Sequence, residues 1–360
     1  MTTPPQTQAQ AQAQALRARR LPKLAPPGIG AAAVVVAALL IYATGSGGIV
    51  LTAVVAALLY VVGLFAAAYA VEGSRAARNR LATALIGGAF LLAVIPLASV
   101  VFTLVSKGVA RLDGDFFQRS MRNIDSRDPG GGGYHAIIGT LEQVGIAALI
   151  TIPLGVAGAV YVVEYGRGRL ALAVRFFVDV MTGIPSIVAG LFVLAFWVQV
   201  VSPLFSPDGR PSQTGFAASL ALSVLMLPTV VRSAEEMLRL VPTALREGAY
   251  ALGIPKWKTI LNIVLPTAAP GIITGVMLAI ARAAGETAPV ILVAGATASI
   301  NFNAFSGPQE SLSFFVFDQA TDSSPFAGHR AWTAALTLVA IVLTFTVVAK
   351  LLARRNKLAR

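Results

Sequence analysis

The chain contains no cysteine and only two histidines, His135 and His329, among its 360 residues. Without cysteine there is no disulfide framework, no thiolate metal site and no thiol nucleophile. With both histidines expected in loops, a histidine-rich metal centre has nothing to build on. Charge is scarce too: 12% of residues are charged, against roughly a quarter in soluble domains. No Gly-x-x-x-x-Gly-Lys-Ser/Thr phosphate loop occurs, so the chain is not itself a P-loop ATPase. No Ser/His/Asp set or metal-ligand cluster stands at usable spacing, which argues against an intramembrane enzyme.

What is present is apolar. Hydrophobic residues make up 56% of the chain, in runs near or above the ~20 residues that cross a bilayer as a helix. The fold expected is an all-α polytopic membrane protein with eight spans. A disordered, Gln- and Ala-rich basic tail fills 1–27, and an N-terminal transmembrane hairpin fills 28–71. A signal peptide competes for the first of these runs. The short Gly/Ser turn leading straight into a full-length second run favours a retained helix. The remaining spans are expected at 81–106, 137–163, 173–200, 215–231, 267–295 and 331–352, followed by a basic tail over 353–360. The loop 107–136, with Gly130 to Gly133, is expected to be flexible and off the membrane.

Basic residues set the orientation. With the N-terminus inside, the segments assigned to the cytoplasm carry 20 of the 28 Lys and Arg residues, as the positive-inside rule requires. Both termini are then cytoplasmic. The net charge of +12 is accounted for by topology and gives no reason to invoke nucleic acid.

Between the sixth and seventh spans lies a polar island, 232–266. Its centre, Glu247 to Pro266, reads EGAYALGIPKWKTILNIVLP. A helix-favouring segment holding Glu247, Gly248, Ala249 and Leu252 is interrupted at Gly253 and Pro255. A second segment then runs into Ile263, Leu265 and Pro266. Glycine supplies a turn that other residues make only with strain, and proline limits helix extension. Two short helices at an angle are expected on the membrane face. A basic loop resting on lipid headgroups is the bland alternative.

Residue order favours a docking role. Glu247, Ala249, Gly253, Ile263, Leu265 and Pro266 match in spacing the Glu-Ala-Ala…Gly…Ile-x-Leu-Pro loop of ABC-importer permeases, with Gly248 replacing the first Ala. Together with GIPSIVAGLF at 183–192 and RAAGETAP at 282–289, the stretch 81–352 resembles the PstA-type permeases of phosphate-import ABC transporters. The run Arg282 to Pro289 separates it from the sister PstC type. The resemblance implies a six-helix type I permease core in the cytoplasmic membrane, to which the N-terminal hairpin is an addition. It also implies a heterodimer with a PstC-like permease, two copies of a cytoplasmic ATPase that binds the ATP and Mg, and an extracytoplasmic phosphate-binding protein. No cofactor is expected in this chain.

Two charges fall inside the seventh span. Arg282 and Glu286 lie four residues apart, on one helical face. An intramembrane charge costs about 2.5–3.5 kcal/mol on insertion scales and is a functional-site candidate by default. Arg before Glu is the weaker order for a stabilising pair, whereas the guanidinium fork fits a tetrahedral oxyanion and stays charged. Arg282 is therefore the candidate phosphate contact, with Glu286 limiting its affinity, and Thr287 and Ser186 as further pathway residues. Asp179 is expected to pair with Arg175, Glu142 to reach the headgroups, and Phe314, Phe315 and Phe317 in the last outer loop to form a short re-entrant or docking helix, with a loop resting on the bilayer as the bland alternative. The rival class is a proton-coupled secondary transporter using Glu142, Asp179, Arg282 and Glu286 as a relay. Sulfate or molybdate are the alternative anions.

Overall fold

The computed structural model describes residues 21–45, 48–125, 127–166, 168–206 and 208–358. The tail over 1–20 and the loop residue Arg167 lie outside them. Eight helices are long and apolar enough to cross a membrane. The chain divides at Val101–Phe102 into two compact units.

In the first unit, α1 (Ala25–Thr44) and α2 (Ile49–Glu72) pack as an antiparallel hairpin. Helix α3 starts directly afterwards, at Ser74, and runs to Gly108 in the second unit. Gly73 makes the sharp reversal between α2 and α3 in a left-handed conformation, φ 86°. Beside it, Arg80 pairs with Glu72 at 2.7 Å, and the same carboxylate accepts from the Leu21 backbone N–H. Most apolar side chains of these helices are exposed, as a helix must be where lipid is its solvent.

The second unit is built around one helix. This is α8 (Gly215–Arg239), preceded in order by α4 (Gly114–Gln118), α5 (Tyr134–Val160), α6 (Arg169–Thr182) and α7 (Ser186–Val193). Thr214 caps α8 by accepting from the Ala217 N–H. Its buried stripe of small residues, Ala217, Ala218, Ala221 and Ser219, lets neighbours approach closely, the usual basis of helix packing in a bilayer. Helices α5 and α11 (Leu265–Ala284) are its main partners.

The span expected at 173–200 is two elements. Helix α6 is amphipathic and stops at Thr182, and Gly183 to Pro185 separate it from α7. The membrane-length part is Ser186–Leu204, extended by a π-helical stretch Leu194–Val201. The seventh span is broken in the same way, between α11 and α12 (Ala288–Ala294), at Gly285 to Thr287. The two broken spans meet where α7 crosses α12: a Cβ on Gly190 would lie 2.7 Å from Pro289 Cα.

The loop expected to be flexible is instead packed. Gly132 sits under the carbonyls of Phe116, Asp115 and Arg119, leaving no room for a side chain. The glycine run serves close approach rather than mobility. Beyond α12, Ser311 caps α13 (Leu312–Thr321) by accepting from the Phe314 N–H. Phe314 and Phe315 are buried and Phe317 is exposed, so the three aromatics do stand on a short helix and two of them point inward. Helix α14 (Ala327–Leu358) closes the chain.

Candidate substrate pathway and docking elbow

The polar island folds as an elbow whose first arm is α9 (Thr243–Ala251). Gly253, at φ 74°, ends it: its N–H donates to Tyr250 O and the Ile254 N–H to Ala249 O, a left-handed helix stop that favours glycine. The second arm is not a separate short helix. Helix α10 (Lys256–Thr259) continues through a π-helical turn, Ile260–Val264, into α11. One unbroken helix, Lys256–Ala284, therefore runs from the elbow into the seventh span.

The residues expected to dock split into two groups. Glu247, Gly248, Leu252, Gly253 and Pro255 are exposed, Leu252 to 81%. Ala249 is buried against the fold, and Ile263, Leu265 and Pro266 are half-buried in the helical stem. The first group presents a surface and the second fixes its mounting.

Arg282 stands in the last turn of α11, and Glu286 lies just past it in the break. Arg282 Nε is 3.6 Å from Glu286 Oε1, with the arginine side chain 61% exposed and the glutamate 17%. The pair is real, and it is lopsided. The carboxylate is held in the fold while the guanidinium fork faces out of the single chain. The break is braced from outside: Ser313 Oγ donates to Glu286 O at 2.8 Å and Thr287 Oγ1 reaches Ser313 O at 3.5 Å. Ser186 opens α7 one helical turn before the Gly190–Pro289 contact, and Thr287 lies two residues before it. The two breaks thus share one neighbourhood.

The other acidic candidates are elsewhere. Asp179 pairs with Arg232, not with Arg175, and Arg175 turns to Glu235, which also holds Arg239. A helical i,i+4 partner loses here to a neighbouring helix carrying charges of both signs. Glu142 accepts from Gln309 Nε2 at 2.6 Å. The four residues of the relay therefore sit in three separate groups of contacts. His135 is not in a loop. It is enclosed in the first turn of α5, edge-on to Phe315 and 3.6 Å from Glu310. His329 lies in α14.

Burial pushes the Glu310 carboxyl above the usual carboxylate range, His135 offsetting part of the shift and Asp318 adding to it. A group with a raised folded-state pKa stabilises fully below its unfolded value and loses that contribution as pH rises through the folded one. Thermal stability of the purified permease is expected to fall as pH rises through that interval, and Glu310→Gln should flatten the profile. Superimposable melting profiles of the two proteins from acid to mildly alkaline pH would contradict this.

Sequence reasoning missed the network beneath the elbow. Arg246 donates through Nε and Nη2 to Glu164 Oε1 at 3.0 and 2.8 Å, and through Nη1 and Nη2 to the carbonyls of Val241 and Leu238. The signal available was the basic residue immediately before Glu247. Its acidic partner, 82 residues away, carried none.

Residues 137–358 match the family described as binding-protein-dependent transport system inner membrane component. The phosphate transport system permease protein PstA 1 of Mycobacterium tuberculosis (strain H37Rv) is 44% identical over 279 residues, covering 77% of this chain and 88% of that protein. The Mycobacterium leprae permease PstA is 46% identical over 74% of this chain and 86% of its own length. That of Haemophilus influenzae is 34% identical over 79% and 96%. The family match takes in the elbow, both broken spans and the Arg282–Glu286 pair, and the chain belongs to the binding-protein-dependent inner membrane transport components, among the PstA permeases.

Proposed function

We propose that the chain is the permease subunit of an ABC import system and that it carries inorganic phosphate across the cytoplasmic membrane. The observation that carries this is the unbroken helix Lys256–Ala284, which starts at an exposed elbow and ends at an outward-facing guanidinium. Such a helix joins a place where another protein can push to a place where an oxyanion can sit. The curated relatives, named as phosphate transport permeases, support phosphate over sulfate or molybdate.

The ATPase is a separate subunit, present in two copies, with ATP and Mg bound there. The exposed group Glu247, Gly248, Leu252, Gly253 and Pro255 docks into it. The basic excess puts the elbow and both termini in the cytoplasm. Arg246, Lys256 and Lys258 on the elbow, with Arg239 at the end of α8 just before it, support this orientation. The open flank of Arg282 is closed by a PstC-like second permease, so that the pathway runs between the two. A binding protein delivers phosphate on the opposite side. Ser186 and Thr287 complete the pathway at the two helix breaks.

The test is uptake of labelled phosphate by vesicles holding the complete complex. Uptake should require ATP, survive collapse of the proton gradient and resist a large excess of sulfate. Uptake driven by a proton gradient in vesicles holding this chain alone would establish the secondary transporter instead. Displacement by sulfate or molybdate would change the substrate.

A further inference from the structure

We infer that the Glu164–Arg246 pair is a mechanical joint through which the elbow moves the fourth span as well as the seventh. This inference rests on the elbow being the ATPase-docking element. Glu164 occupies a π-helical turn, Tyr161–Tyr165, at the end of the span Tyr134–Tyr165. Arg246 lies on α9, one residue before the exposed Glu247. The pair is shielded from water, the carboxylate side chain 6% and the guanidinium 15% exposed.

Three features make it a joint rather than a surface ion pair. Arg246 places both N–H donors of one fork edge on a single carboxylate oxygen, and it donates to the carbonyls of Leu238, in the last turn of α8, and Val241, two residues past its end. The guanidinium is therefore fixed by four hydrogen bonds across three elements rather than by one flexible bond. The second arm of the elbow grips the same place: Lys256 Nζ donates to Glu164 O and lies 4.6 Å over the Tyr165 ring. Both arms are thus tied to the end of the fourth span.

That span reaches the candidate anion site from the far side. Thr140 Oγ1 accepts from the Leu312 N–H at 2.7 Å, and the next residue, Ser313, donates to Glu286 O. A push on the elbow then reaches the break in the seventh span by two paths. One runs along Lys256–Ala284, and the other through Glu164, the fourth span and the α13 cap. Two rigid routes converging on one break constrain it better than one hinge. Glu164 and Arg246 are positioning residues and do not touch the substrate.

The experiment compares phosphate imported per ATP hydrolysed in vesicles holding the complete complex, with hydrolysis stimulated by phosphate-loaded binding protein. Glu164→Gln and Arg246→Gln should each lower that ratio at least about fivefold while stimulated hydrolysis persists. The double variant should be no worse than either single one, since residues acting as a unit are non-additive. Arg246→Lys, which keeps the charge and loses the fork, should fall between. An unchanged ratio in the single variants, or losses that multiply in the double variant, would overturn the joint. Should the glutamine variants fail to assemble, Arg246→Lys decides alone: a parental ratio refutes the joint and a lowered one supports it. If the unaltered complex imports phosphate without hydrolysis, the docking reading fails first and is distinguishable from failure of the joint.

Discussion

Replacing Arg282 by glutamine is expected to abolish phosphate uptake while the permease still inserts and assembles. Glutamine is shorter than arginine and keeps a polar end with two N–H donors, while the charge and the fork are removed. Insertion should become easier, because the substitution takes away a group that costs about 2.5–3.5 kcal/mol in a span. The partner left behind, Glu286, is held by the α13 cap and is 17% exposed, so it would face an incoming anion with its own charge uncompensated. With the second permease closed over Arg282, removing one member of the charge contact costs about 2–5 kcal/mol, which is at least about thirtyfold in affinity. Arg282→Lys should rescue only partly, since an ammonium cannot span two oxygens of a tetrahedral anion. Labelled-phosphate uptake, with complex yield as the control, decides this. Normal uptake by an assembled Arg282→Gln complex would sink the anion contact and leave the pair a structural one.

Apolar run length gave the number of membrane-length helices, because a bilayer imposes a length that composition reveals directly, but it set the fifth and seventh at the wrong bounds, which are Ser186–Leu204 and Lys256–Ala284. The residues at the two breaks, Gly183 with Pro185 and Gly285 with Pro289, stand in the sequence, since glycine and proline act on the backbone where they stand, but run length alone joins the helices on either side. Partnership was not legible. Arg175 and Asp179 share a helical face, and the sequence has no means of showing that Glu235 and Arg232 come nearer. The enclosure of His135 depends on Glu310 and Phe315, far along the chain, and the bracing of Glu286 depends on Ser313, 27 residues later. The continuity of the second elbow arm with α11 ran against the prolines at 255 and 266. Proline is tolerated in the first turn of a helix, where Pro255 stands as the cap of α10. At Pro266 the preceding π-helical turn already departs from the regular bonding pattern that a proline would break. Half of the expected docking motif, Glu247, Gly248, Leu252, Gly253 and Pro255, is exposed. That its other half is a stem could be known only from the packing of Val264 and Ala268 into the core.

Inserting three flexible residues, Gly-Ser-Gly, after Pro266 is expected to uncouple ATP hydrolysis from transport. The insertion point lies within the unbroken helix Lys256–Ala284, so it does not lengthen a loop. It cuts a rod. Lys256 and Arg282 are 26 residues apart, about 39 Å at the helical rise, and a rod of that length transmits displacement only while its backbone hydrogen bonds run through. Each interior glycine costs about 1 kcal/mol of helix stability, and the inserted segment has no core contacts to offset this. The elbow itself, closed by Gly253 and fixed by Arg246, should still dock, so hydrolysis stimulated by the binding protein should persist while phosphate imported per ATP falls at least about tenfold. Some import should remain, because the route through Glu164 and the fourth span is intact. Adding Glu164→Gln to the insertion should then remove what is left. If the insertion alone transports at the parental rate, the helix is not the route from elbow to anion. If the combined variant does no worse than the insertion, the fourth span contributes nothing to the stroke.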